Sequence, residues 1–269
     1  MFFYLNVLWS GCGVDEGPIE GSDSISADHP PNVLVVLVDD LGTDKVAAYG
    51  DSPTPPRTPT IDGLAADGVL FRNAWAYASC SPTRAALLTG RYGRRTGVGE
   101  VVDPATSGKY ELPLSELTIP EMLAFAPDPW STSLIGKWHL ATWVSPNAEL
   151  GPGLQGFEWY AATFGNLNNS SYPDAYTVEG YYNWQKDLNG ALGWETRYTT
   201  TDQVDDAIAR IATMPEPWFL YLPFNAPHTP SNAPPAELAE IAPGQLETQG
   251  GVYTAMLEAM DRELGRLLA

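Results

Sequence analysis

The chain has 269 residues, with 33 acidic against 14 basic side chains and a formal net charge of −19. A content of 44% hydrophobic and 11% aromatic residues over that length supports one large domain with a substantial core and excludes general disorder. The acidic balance excludes nucleic acid as a partner, because neutralising phosphates takes clustered Lys and Arg.

Residues 2–9 are apolar and run into Leu8-Trp9-Ser10-Gly11-Cys12, which is similar to a bacterial lipobox whose cysteine is lipidated. Residues 1–12 are therefore expected to be a signal or lipobox segment, 13–31 a polar tether rich in Gly, Ser, Asp and Pro, and 32–269 the folded domain. This order implies an extracytoplasmic protein, in the periplasm or at the cell surface, with a lipid anchor through Cys12. The competing reading is a frayed apolar N-terminus. No later segment is apolar for long enough to span a bilayer.

Residues 32–39, a β-branched apolar run between Pro30-Pro31 and Asp40-Leu41-Gly42, read as a strand buried on both faces. A helix is expected over 58–68, with Pro59 in its first turn and Gly68 as its stop. Residues 69–76 read as a second strand, 82–88 as a short helix ended near Gly90, 118–125 as a helix, and 131–136 as a strand. From 147 to 199 the chain is rich in Gly, Asn, Tyr and Trp without clear periodicity, and is expected to form long loops over the scaffold. Within it Trp159, Tyr181, Tyr182 and Trp184, together with Trp143 just before it, suit stacking on sugar or aryl rings and suit core packing equally well.

A helix follows over 201–214, then a core strand over 218–224 with Pro223 near its end, where proline is tolerated. Tyr253, Met256, Leu257, Met260, Leu264, Leu267 and Leu268 fall on one helical stripe. Alternating strands and helices predict an α/β fold: a large, mostly parallel mixed sheet with helices on both faces. The sequence stops inside the last amphipathic pattern without a capping residue, so a missing C-terminal part is expected.

Asp39-Asp40 ends the first strand, at the edge where open α/β sheets build their sites. Adjacent carboxylates repel unless a cation compensates, which points to a hard divalent metal. Turn chemistry explains the pair equally well. Cys80 opens a helix, where backbone N–H groups and the dipole favour an anion by about 0.3–1 kcal/mol. Arg84 lies one turn on, on the same face. A buried small hydrophobe and a reactive thiolate are the alternatives for this cysteine. Arg84, Arg91, Arg94 and Arg95 put four of the 14 basic residues in one short segment, which suits either an anionic ligand or a solvated face.

Lys137 and His139, at i and i+2 after a strand, point to one side in extended chain, and both can donate to an anion. His228, held between Pro227 and Pro230, is placed as an acid or base, or as a histidine in a rigid turn.

The string Cys80-Ser-Pro-Thr-Arg84, continued through Leu88, Thr89, Gly90 and Arg91 and beginning some forty residues after Val-Leu-Val-Asp39-Asp40, resembles the signature of type I sulfatases. Gly136-Lys-Trp-His-Leu140 and Asn225-Ala-Pro-His228 resemble further elements of the arylsulfatase type, in the order that family presents them. The resemblance implies the alkaline-phosphatase-like fold and hydrolysis of a sulfate monoester. Cys80 would be oxidised to formylglycine by a formylglycine-generating enzyme, and the hydrated aldehyde would attack sulfur. It further implies a Ca2+ ion, ahead of Mg2+, on Asp39, Asp40 and position 80. Arg84, Lys137 and His139 would hold the nucleophile and sulfate, and His228 would touch the sulfate or ester oxygen.

The pattern departs from the family in lacking a later Asp-Asn pair of metal ligands and a later sulfate-binding lysine. A hard cation wants about six or more oxygens, so weak metal binding and poor turnover are expected of these 269 residues alone. Two rival readings remain. One is phosphonate or phosphate ester hydrolysis within the same superfamily; the other is a non-catalytic surface lipoprotein that binds sulfated glycans.

Overall fold

The computed structural model describes residues 30–103, 111–168 and 180–269, together with the backbone of 4–9. Cys12 and most of the tether lie outside the described residues. The apolar run 33–38 forms a strand because its β-branched side chains alternate between two buried layers. Leu34, Val36 and Val38 pack into one core cluster, while Val35 and Leu37 pack into another on the opposite face.

The strands in chain order are β1 (Tyr4–Trp9), β2 (Val33–Val38), β3 (Ser131–Lys137), β4 (Trp159–Thr163), β5 (Trp184–Leu188), β6 (Ala191–Glu195) and β7 (Trp218–Pro223). They form one seven-stranded sheet in the order β1-β2-β7-β3-β4-β5-β6. The central four, β2, β7, β3 and β4, are parallel, and the outer pairings are antiparallel. Helices α1 (Pro59–Asp67), α6 (Thr199–Ile211) and α7 (Gln249–Leu268) cover one face through Ile61, Val204, Ala207, Met256 and Met260. Helix α2 (Cys80–Thr89) covers the other through Ala85 and Leu88. Short helices α3 (Gly93–Thr96), α4 (Ile119–Leu123) and α5 (Gly151–Leu154) complete the set. The expected α/β architecture, with helices on both faces, is the one observed.

Local signals explain the helix ends. Thr118 and Glu121 form a reciprocal capping box at the start of α4. Gly90, at φ 65°, closes α2 in the left-handed conformation that glycine adopts without strain. Two N–H groups at the start of α1 are capped from a distance: Thr60 and Ile61 each donate to the Asp261 carboxylate of α7, at 2.9 Å. Residues 200 positions apart are thereby stapled, a contact with no local sequence signal.

Two expectations fail. Residues 69–76 form no strand, and Val69, Phe71 and Trp75 stand exposed at 78%, 67% and 85%. Strand propensity is a context-dependent preference for a pleated, half-buried surface, and this segment pairs with no strand of the sheet. The region 147–199, expected as loops, carries α5, β4, β5 and β6; its residues 169–179 lie outside the described set. Tyr181 and Trp184 are buried and Trp159 packs half-buried against the same core cluster, which settles their alternatives for core packing, and Trp143 and Tyr182 are exposed. The overlooked signal is Asn189-Gly190, with φ 51° and 86°, which turns β5 into β6 as a two-residue hairpin.

That hairpin carries a buried charge. Asp187 accepts from Gly190 N at 2.8 Å, but burial, unmatched by any cation, pushes its pKa from 3.8 to about 7. The folded chain thus binds this proton more tightly than the unfolded chain. The protein loses stability as pH rises from about 4 to 7 and carries the full cost above 7. Asp187→Asn, which keeps the acceptor for Gly190, is expected to stabilise by about 2–4 kcal/mol at pH 8 and by little at pH 4. Urea midpoints across that range test it; parallel profiles for parent and variant would refute it.

Gly136 is required where β3 passes β7. Its φ is 123°, and an added Cβ would lie 2.1 Å from the Pro223 carbonyl oxygen. Gly136→Ala is expected to cost more than about 2 kcal/mol and to displace the neighbouring Lys137. An unchanged thermal midpoint would contradict this.

Candidate active site

Four parallel strands end on the same edge of the sheet, the usual position for a site in such folds. That edge carries Asp39 after β2, Lys137 at the end of β3, Asn166 beyond β4, and the 225–228 turn after β7. Asp40 adopts φ 63°, a left-handed turn that aspartate tolerates, and this turns the chain sharply after Asp39. Helix α2 brings its first residue, Cys80, to the same edge. Its entry is held by Thr83, whose hydroxyl donates to Ser79 O at 3.0 Å and accepts from Tyr77 N at 3.1 Å.

The predicted residues converge. Cys80 Sγ lies 3.4 Å from Asp39 Oδ1 and 3.4 Å from Lys137 Nζ. Lys137 Nζ also donates to Asp39 Oδ2 and, at 2.5 Å, to Asn166 Oδ1. Arg84 donates to the Lys137 carbonyl at 2.5 Å and to Asp39 Oδ2 at 3.3 Å, with Tyr221 beside its guanidinium. Asp39, Arg84 and Lys137 are all fully buried, so one carboxylate faces two cations out of reach of solvent.

Burial alone would raise the Asp39 pKa, but Lys137 and Arg84 outweigh it and hold the carboxyl well below its ordinary value. Burial raises Asp40, helped by the charge of Asp39 and opposed by His228. Burial also pushes the Cys80 thiol up to about 11, against the pull of Lys137. Of the alternatives for this cysteine, a reactive thiolate is therefore disfavoured in the protein alone. His139, at φ 53°, is buried, and burial together with Lys137 and Arg84 drives its pKa well below 6.5; it is a neutral imidazole. Its Nδ1 has no hydrogen-bond partner among the described residues. His228 Nδ1 sits 2.6 Å from Thr229 O, an acceptor only, so Nδ1 must carry the proton. Its Nε2 faces Asp40 Oδ2 at 3.6 Å.

Several residues that sequence reasoning missed position these groups. Asn225 accepts from Thr163 and Gln203 and donates to Gly165 O at 3.1 Å, tying β7 to the chain beyond β4. The Tyr181 hydroxyl lies 2.8 Å from both Asn225 O and His228 O and braces the turn that presents His228. Tyr253 of α7 donates to Asp40 O at 2.8 Å. Of these only Asn225, inside a motif already singled out, had a legible signal. The arginine cluster, by contrast, disperses. Only Arg84 enters the site, Arg91 pairs with Glu116 at 2.6 Å, and Arg94 and Arg95 are exposed.

Donor atoms of Asp39, Cys80 and His228 lie within 4.8 Å of one another, a spacing that could hold a metal ion. Asp40 Oδ1 is buried without a hydrogen-bond partner among the described residues, as a carboxylate oxygen reserved for a cation would be. The residues therefore fit a divalent cation, with His228 as a donor the sequence reading had not placed among the ligands. Among the described residues no helix is long and apolar enough to cross a membrane.

The chain is similar to known proteins along most of its length. Mouse arylsulfatase J is 30% identical over 262 residues, covering 93% of this chain and 41% of its own length. Human N-acetylgalactosamine-6-sulfatase is 32% identical over 267 residues, covering 92% and 48%. The chain thus spans less than half the length of these two relatives. A crystal structure of Ps i-CgsB in complex with k-i-k-neocarrahexaose superposes with a TM-score of 0.68 at 28% identity, covering 87% of this chain and 53% of that one. The sulfatase family model matches residues 31–269, which takes in every strand end and helix start that builds the cluster around Cys80. On that match, the chain belongs to the sulfatase family.

Proposed function

We propose that this protein hydrolyses a sulfate monoester of a sulfated carbohydrate or an aryl alcohol, with formylglycine made from Cys80 and a Ca2+ ion. The observation that carries the reading is the position of Cys80, at a helix start and 3.4 Å from both Asp39 Oδ1 and Lys137 Nζ. The names of the relatives, an arylsulfatase and a sugar 6-sulfatase, support the substrate class.

Asp39, Asp40 and position 80 would hold the cation, with His228 close enough to share it. The hydrated aldehyde and the metal together supply a nucleophilic hydroxyl, stabilisation of the charged sulfate oxygens, and a second hydroxyl through which sulfate can leave. The chain's own residues orient and screen these groups. Lys137 aims its ammonium at position 80 and Asp39, and Arg84 locks that strand end through the Lys137 carbonyl. His139, neutral, offers a ring nitrogen without adding charge, and His228, where it is not sharing the cation, would contact the sulfate or ester oxygen through a protonated Nε2. Export and a lipid anchor through Cys12 belong to the same proposal, and processing before Cys12 would remove β1 from its place beside β2.

The test is peptide mass spectrometry of the protein produced in a host with a formylglycine-generating enzyme, paired with rates on nitrophenyl sulfate and nitrophenyl phosphate. A carbonyl oxygen in place of the Cys80 sulfur, and preference for the sulfate ester, are expected. An unmodified thiol from that host would defeat the proposal. Preference for the phosphate ester would transfer it to phosphoryl chemistry.

A further inference from the structure

A buried polar chain reaches the strand ends around Cys80 from α6, the helix on the sheet face opposite α2. Pairing of β3 with β4 continues past the strands: Trp138 N donates to Thr163 O at 2.9 Å and His139 N to Phe164 O at 2.8 Å. Beyond Phe164 the chain leaves the sheet, and Asn166 accepts from Lys137 Nζ at 2.5 Å. The intervening carbonyl, Gly165 O, accepts from Asn225 Nδ2 at 3.1 Å and faces the Thr163 hydroxyl at 3.3 Å. That hydroxyl also lies 3.2 Å from Asn225 Oδ1, so its single proton has two acceptors to choose between. Gln203 of α6 resolves the competition by donating to Asn225 Oδ1 at 2.7 Å. Thr163, Gln203 and Asn225 are all buried within this chain, so these bonds do not depend on what its surface meets.

We infer that Gln203 is a positioning residue for the Lys137 ammonium, acting through Asn225, the Gly165–Asn166 peptide and the Asn166 side chain. With Gln203 supplying Asn225 Oδ1, the Thr163 proton is free for Gly165 O, which then holds two donors. The Gly165 carbonyl shares a rigid plane with Asn166 N, so fixing it fixes where the Asn166 side chain starts. Lys137 carries its charge on a flexible four-carbon stem, and its aim at position 80 needs fixing from outside. Asn166 Oδ1 takes one N–H direction of that ammonium, and Asp39 and Cys80 lie along the others. The second amide atom of Gln203, Oε1, is buried without a hydrogen-bond partner among the described residues. A buried amide left half unpaired costs stability, so an apolar side chain of that length would serve the fold as well. The use made of Lys137 rests on the sulfate-ester proposal; the chain of contacts does not.

The experiment compares the parent with Gln203→Met, Thr163→Val, Asn166→Ala and Gln203→Met/Asn166→Ala, by rates on nitrophenyl sulfate, thermal midpoints and crystal structures. Gln203→Met keeps the length and removes the donor together with the unpaired Oε1. Its midpoint is expected to stay level, while kcat drops on the order of tenfold or more and KM moves less. Its crystal structure is expected to show Asn166 Oδ1 drawn away from Lys137 Nζ, beyond the 2.5 Å of the parent. Asn166→Ala should lower kcat comparably, and the double variant no further than Asn166→Ala alone, because both act on one link. Thr163→Val reaches the same carbonyl from the other side and should act in the same direction. An unmoved Asn166, a full rate in Gln203→Met, or independent effects of the two substitutions would each overturn the inference. So would loss of folding in both Gln203→Met and Thr163→Val, which would make these bonds part of the frame. A displaced Asn166 in a protein whose parent hydrolyses no sulfate ester would uphold the positioning and count against the active-site proposal.

Discussion

Cys80→Ala is expected to lower sulfate-ester turnover by on the order of 10⁴-fold or more, because it removes the atom from which the nucleophile is made. The fold should barely notice. Cys80 is buried against polar neighbours, and deleting one small sulfur costs about 1 kcal/mol. Cys80→Ser separates chemistry from packing. A serine hydroxyl can attack sulfur and release the alcohol, but it has no second hydroxyl whose proton loss would expel sulfate. This variant should give at most one alcohol per chain and then hold a sulfated serine peptide. Alanine and parent chains of equal activity would remove position 80 from the chemistry altogether.

Asp39→Ala is the expected largest loss of stability, about 3–5 kcal/mol. The parent buries one carboxylate between Lys137 and Arg84, all three fully enclosed. Without it two cations remain in a low-dielectric interior with no counter-ion, and their mutual repulsion comes on top of the desolvation each already bears. Lys137 would keep the neutral Asn166 Oδ1 and Arg84 the Lys137 carbonyl, neither of which supplies a compensating charge. Urea unfolding of parent and variant at neutral pH measures the difference. A second variant, Asp39→Ala/Lys137→Met, should recover part of the loss by removing one of the stranded cations. A single variant as stable as the parent would mean that the buried pair contributes nothing.

Much of the scaffold was legible because short-range patterns decide it. The run 33–38, the start of α2 at Cys80 with its stop at Gly90, and the stripe on α7 each carry their own periodicity and punctuation. The hairpin β5–β6 was legible too, in Asn189-Gly190, but its flanking strands mix charged and apolar residues and hid the alternation. Segment 69–76 failed for the opposite reason. Its apolar residues look like a strand, yet propensity alone does not make one, and the segment pairs with no strand of the sheet.

The amino-acid sequence by itself determined the chemistry-bearing residues and their order: Asp39, Asp40, Cys80, Arg84, Lys137, His139 and His228, each in a motif short enough to read locally. Only the tertiary structure decided which of them share one space, that Arg91, Arg94 and Arg95 stand apart from Arg84, and that Asn166, Tyr181, Asn225 and Tyr253 position the rest. It also decided the charge states. A thiol pushed up to about 11 and a histidine held neutral follow from burial beside particular ions. Residue types travel with the chain, whereas desolvation and Coulomb energy depend on distances that exist only once β2, β3, β7 and α2 are packed.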